Sequence, residues 1–204
     1  MSRNRRLTAE RRRFLRVSGA LALALPSWGG VVATVQAEDL PATPPCSDGD
    51  PPTPRQMEGP FFKPRSPQRT SLLDPDIKGT KLVLSGLVLS TRCKPLAGAL
   101  LDFWQCDGSG EYDNSGYRLR GHQFTDAAGR YRLETIVPAL YPGRTRHIHV
   151  KLQAPDQPVL TTQVYFPGEP RNASDFLFRR ELLIAMIDEG GANACRFDFV
   201  LKAA

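Results

Sequence analysis

The stretch His147-Ile148-His149-Val150-Lys151-Leu152-Gln153 alternates without interruption between polar and apolar residues. Side chains of an extended strand point to opposite faces in turn, so His147, His149, Lys151 and Gln153 share one face while Ile148 looks the other way. The stretch reads as a half-buried strand, and it presents two imidazoles to the same cavity. Tyr141 stands six residues before His147, and Tyr112 closes a Gly110-Glu111-Tyr112 turn further upstream. Phenolate is a hard anionic donor and imidazole a borderline one. Together they suit ferric iron better than the thiolate-rich sets of structural zinc. Oxygen chemistry on an aromatic substrate is the leading expectation.

Short apolar runs separated by turn residues recur on either side, the all-β pattern. Strands are predicted at 81–90, 97–105, 130–136 (after the turn Asp126-Ala127-Ala128-Gly129), 159–166 and 196–201. Only 174–187 has helical character, and its apolar run could equally hide a strand. The pattern predicts an all-β domain, a β-sandwich.

The N-terminus has a different composition. Arg11-Arg12-Arg13-Phe14-Leu15-Arg16 precedes a weakly apolar run, 18–35, that ends in the small-residue segment Val35-Gln36-Ala37. Residues 1–37 therefore read as a twin-arginine export signal, which implies a periplasmic or secreted protein. A membrane anchor fits less well, because Pro26, Gly29 and Gly30 interrupt a run that barely reaches the ~20 apolar residues of a spanning helix. No stable span is expected after cleavage. Of 27 basic and 21 acidic residues, seven arginines and Glu10 lie in this segment, leaving 20 of each. The basic isoelectric point thus belongs to the signal, and a nucleic-acid partner is not expected.

The remaining 167 residues suffice for one domain with a real core. Residues 38–54, rich in Pro, Asp and Thr, read as an extended arm over the domain at 55–204, pinned through Cys46. Four cysteines (Cys46, Cys93, Cys106, Cys195) in a chain bound for an oxidising compartment predict two disulfides. A Cys93–Cys106 pairing is disfavoured, because the intervening strand would hold them roughly 30 Å apart at about 3.3 Å per residue.

Several motifs in order carry a family likeness: Thr-Pro-x-Gln-x-x-Gly-Pro at 53–60, Leu84-Ser85-Gly86, Leu101-Asp102-Phe103-Trp104-Gln105-Cys106-Asp107 and Gly110-Glu111-Tyr112. Thr125-Asp126 with Gly129 and Tyr131, Tyr141-Pro142-Gly143-Arg144 before the histidine pair, Gln163-Val164-Tyr165-Phe166 and Phe197-Asp198-Phe199-Val200-Leu201 complete them. Taken together they resemble the intradiol ring-cleavage dioxygenases, the family of catechol and protocatechuate 3,4-dioxygenases. The resemblance spans roughly 53–201 and is similar in detail to the small exported branch. Cys93 stands where the family's strand-loop signature has Gly or Ser.

What the resemblance implies is specific. Tyr112 and His147 would be equatorial ligands of Fe(3+), Tyr141 and His149 axial ones, with Arg144 and Gln163 bordering the substrate ring. Tyr141 would yield its place to the incoming diol and accept one of its protons. The expected partners are a catechol-type small molecule and O2, the product a cis,cis-muconate-type dicarboxylate, and a homo-oligomer is compatible with the sequence. The competing expectation is a non-catalytic exported β-sandwich that only binds. The third histidine, His122, is expected to serve a hydrogen bond near the cavity. Tyr117, Tyr131, Tyr165 and Trp104 are expected as core or pocket wall, and residues 58–62 as a cap.

Overall fold

In the computed structural model the described residues are Cys46, Gly49, 51–189 and 192–203. The predicted signal at 1–37 and most of the arm lie outside them. Among the described residues nine strands form two sheets: β1 Lys81–Ser90, β2 Leu100–Trp104, β3 Arg120–Phe124, β4 Arg130–Ile136, β5 His147–Gln153, β6 Leu160–Tyr165, β7 Ala185–Glu189, β8 Ala192–Arg196 and β9 Phe199–Leu201. One sheet runs β4-β1-β8-β7, with β9 parallel to the end of β1; the other runs β3-β2-β5-β6. The sheets pack as a sandwich, as the alternation predicts.

Between them lies one apolar core. Leu82, Leu84 and Val88 of β1 face Leu101 and Phe103 of β2, Ile148, Val150 and Leu152 of β5, and Val164 of β6, all within 1% of complete burial. At about 25 cal/mol per Å² of apolar surface, this layer is the main stabilising term. One residue along β1 has no side chain for a backbone reason. A Cβ on Gly86 would lie 2.0 Å from the Phe197 carbonyl oxygen, where the chain bulges between β8 and β9. Asp198 accepts the Leu87 N–H there (2.9 Å), so the bulge is tied to β1.

The structure corrects several expectations. Strand 97–105 contracts to Leu100–Trp104, and 196–201 splits at the bulge. Residues 174–187 form no α-helix: a 3-10 turn at Arg180–Leu182 is followed by β7. Strand β3, with buried Arg120 and Gln123, has no apolar alternation to announce it. Cys46, the expected point of attachment, forms a disulfide with Cys93. The second disulfide is absent among the described residues. Cys195 sits in the inter-sheet core and Cys106 in a separate cluster with Trp104 and Tyr112, so their sulfurs belong to different layers. Each thiol instead faces a carbonyl, of Val83 and Ala139 respectively. Among the described residues no helix is long and apolar enough to cross a membrane.

Candidate metal centre

Because Ile148, Val150 and Leu152 fill the core, His147 and His149 project from the outer face of the second sheet. Strand register extends this face sideways: Trp104, His149 and Gln163 form one cross-strand row, and Tyr165 lies opposite His147. An outer face is ordinarily wet, yet both histidines are only 3% exposed and Gln163 is fully buried. Loops cover it. The strap at 53–64 docks through Gln56 N–H to Thr161 O (2.8 Å) and Gln163 Nε2 to Met57 O (2.9 Å). Glu58 pairs with Lys151, and Phe62 packs under the Lys151 ammonium and edge-on to Trp104. The expected cap at 58–62 is present.

Three of the four predicted donors converge at close range. Tyr112 Oη is 3.2 Å from His147 Nε2, which is 3.1 Å from His149 Nε2. Tyr141, half-buried, places its ring edge-on to that of Tyr112 with centroids 5.6 Å apart. The Thr145 carbonyl can only accept, so the 2.6 Å contact fixes the proton of His147 on Nδ1 and leaves Nε2 with one in-plane lone pair. That lone pair cannot satisfy both Tyr112 and His149. In addition, His149 Nδ1 is buried without a partner. A cation among these atoms resolves the conflict. Donors bonded at about 2.0–2.1 Å to one ion lie roughly 3.0–3.4 Å apart, which the two measured separations match.

The donor chemistry agrees. Among the described residues no three His, Cys, Asp or Glu side chains gather for a metal, so a metal at His147 and His149 would draw on the phenols as well. Burial, with the Arg144 charge beside it, pushes His147 down from 6.5 to about 4, and burial, with the His147, Arg144 and Arg120 charges, holds His149 well below 6.5. Both imidazoles stay neutral and free to ligate. Burial, chiefly, raises the Tyr112 phenol, and the neighbouring Cys106 adds to it. An anionic Tyr112 therefore needs a strong nearby cation. The residues fit ferric iron.

A family model described as a dioxygenase matches residues 57–203. Catechol 1,2-dioxygenase of Pseudomonas sp. strain EST1001 is 31% identical over 62% of this chain and 51% of its own. The protocatechuate 3,4-dioxygenase beta chain of Burkholderia cepacia is 33% identical over 61% and 65%. The chain belongs to the intradiol ring-cleavage dioxygenase family. It spans about half to two thirds of the length of these curated relatives. Among solved structures, the dioxygenase domain of a dioxygenase and carbohydrate-binding protein fusion from Streptomyces sp. SirexAA-E superposes with TM-score 0.73. It is 60% identical, covering 76% of this chain and 100% of that one. The 3-chlorocatechol 1,2-dioxygenase of Rhodococcus opacus 1CP gives 0.68 at 30% identity, covering 74% and 73%.

Within this intradiol-family site, Arg144 is held by the protein on both sides. Its Nε donates to Asp175 Oδ2 (2.9 Å) and its Nη2 to Gln163 Oε1 (2.7 Å). Asp175, 8% exposed, also accepts the Thr145 N–H (2.7 Å). Burial would raise Asp175, but the Thr145 and Leu177 amides and Arg144 outweigh it and keep its carboxyl low. Asp175 was not legible as a site residue, because a lone Asp thirty-one positions from its arginine leaves no local pattern. Trp104 stacks on His149 (centroids 4.8 Å, 9° between planes), and Phe61 stacks on Tyr112 (4.3 Å, 11°). Tyr165 is pocket wall and donates to Leu177 O (2.9 Å); Tyr131 is core; Tyr117 reaches Pro64 O (3.0 Å) beneath the strap's far end. His122 bonds the Ser66 carbonyl (2.8 Å), two strands away from β5 in the sheet order, and takes no part in the cluster.

Proposed function

We propose that this chain is a ferric-iron enzyme that opens a catechol-type ring between its two hydroxylated carbons, adding both atoms of O2 to give a cis,cis-muconate-type dicarboxylate. The observation that carries the reading is the convergence of Tyr112 Oη and His149 Nε2 on His147 Nε2, each within 3.2 Å of it along a buried face, with Tyr141 beside them. Tyr112, Tyr141, His147 and His149 would hold the metal. Ferric iron, when bound, supplies a Lewis acid that takes the diol as a chelated dianion and makes its ring reactive toward O2.

The chain's own groups supply the rest. Tyr141 is the least buried of the four, so it is the phenol free to leave and to take one diol proton on its oxygen. Tyr112 is pinned by Phe61 and remains. Arg144 is a permanent cation fixed by Asp175 and Gln163, suited to stabilise negative charge on the ring. The strap excludes water from the reacting face. A module that only binds gains nothing from a buried phenol and two imidazoles competing for one lone pair.

Oxygen uptake by iron-loaded protein against a panel of catechol, protocatechuate, hydroxyquinol and lignin-derived diols tests the reading. One O2 consumed per diol, with a dicarboxylate product, supports it; no uptake with any of them overturns it. We also propose that residues 1–37 direct twin-arginine export to the periplasm or beyond, ahead of the arm at 38–54 and a catalytic domain at 55–204. N-terminal sequencing of protein recovered outside the cytoplasm would then start near Glu38, whereas a start at Met1 would contradict it.

A further inference from the structure

Arg120 opens β3, next to Trp104 of β2 in register, and is 1% exposed. It forms no ion pair with a carboxylate among the described residues. Its Nη1 donates to the Phe61 carbonyl (2.6 Å) and its Nε to the Asp113 carbonyl (3.1 Å), while Nη2 is buried with no partner. A guanidinium buried on neutral acceptors alone is costly, and its retention calls for a reason. The backbone adds strain: Leu119, just before it, is buried in the core at φ +53°, a left-handed conformation that L side chains avoid.

The two carbonyls it joins explain the placement. Phe61 is the strap residue stacked on the Tyr112 ring, and Asp113 is the residue after Tyr112. The Asp113 carboxylate is already spent on Ser115, Gly116 and Arg118 within its own loop. Arg120 thus grips Tyr112 from both sides, through the ring that covers it and the peptide that follows it. We infer that Arg120 is the positioning residue for Tyr112, a clasp that locks the strap to the ligand loop and sets the phenol's orientation. The inference rests on Tyr112 being a ligand, as proposed above. Ligation as phenolate would also supply the anionic neighbour that this cation lacks.

The test uses the full chain in two forms. In metal-free protein, amide hydrogen exchange of 58–63 and 110–116 should speed up at least tenfold in Arg120→Met, with β5 unchanged. In ferric-loaded protein, the same variant should shift the tyrosinate absorption band and pass iron to a chelator at least tenfold faster. Leu84→Ala, a core variant of similar or greater instability, should leave the band in place. If Arg120→Met does not fold, Arg120→Lys, which keeps the charge but lacks the fork, gives the same reading on the two segments. Wild-type exchange in both segments, or a band shift no different from that of Leu84→Ala, overturns the clasp. A wild-type protein with no tyrosinate band at all would instead defeat the iron reading, while the exchange result would still judge Arg120.

Discussion

The two faces of strand β5 differ in what they can tolerate. Ile148, Val150 and Leu152 point into a fully buried apolar layer, where volume and hydrophobicity decide fitness. One residue away in each case, His147 and His149 are as deeply buried but carry lone pairs that the protein satisfies only in part. The first face holds the sandwich together. The second is burdened with unmet polar groups, which is a cost to folding and a resource for binding a cation.

The comparison breaks most visibly at His149. His149→Ala should abolish ferric iron binding and turnover while the apo protein still folds, as read by metal content and circular dichroism. Next in size, Arg144→Ala should retain iron and colour but lose about 2.7–4 kcal/mol of transition-state stabilisation, a kcat lowered about 10²–10³-fold. Retention of normal turnover would remove it from the mechanism.

A pH effect of similar order belongs to the outer face alone. His147 falls from 6.5 to about 4 on folding, so the unfolded chain binds the proton first as pH drops. The associated stability is complete above 6.5 and is lost between 6.5 and about 4, amounting to about 3 kcal/mol at 1.36 kcal/mol per unit. Thermal melts of metal-free protein across that window should show it, and His147→Gln should make the curve shallower, leaving the share due to His149, which burial also lowers. The smallest effect lies on the inner face: Ile148→Val should cost about 0.5–1.5 kcal/mol of stability and leave the iron spectrum untouched. A change in that spectrum would mean that the two faces are not independent.

Both faces of β5 were legible in the sequence, because alternation reports directly which side of a sheet a residue occupies. Bounds of β5 followed from it, and those of β1 and β4 from an apolar run and a preceding turn. The residues that complete the site did not. Arg120 and Asp175 are charged side chains buried by partners distant in the chain, and Phe61 looks like any loop aromatic until the strap is seen across Tyr112. Strand β7 hid in an apolar segment that the chain spends on tight turns and on Phe178 packed against Tyr165. Cysteine count misled for a similar reason: evenness says nothing about layer, and Cys106 and Cys195 lie in different ones.

The central claim, that two phenols and two imidazoles hold one ferric ion, is tested most directly by the visible spectrum of ferric-loaded protein with and without the Tyr112 hydroxyl. The wild type should be red-brown from tyrosinate-to-iron charge transfer, and Tyr112→Phe should bleach or shift that band. A colourless iron-loaded wild type, or a band identical in the two proteins, would contradict the account.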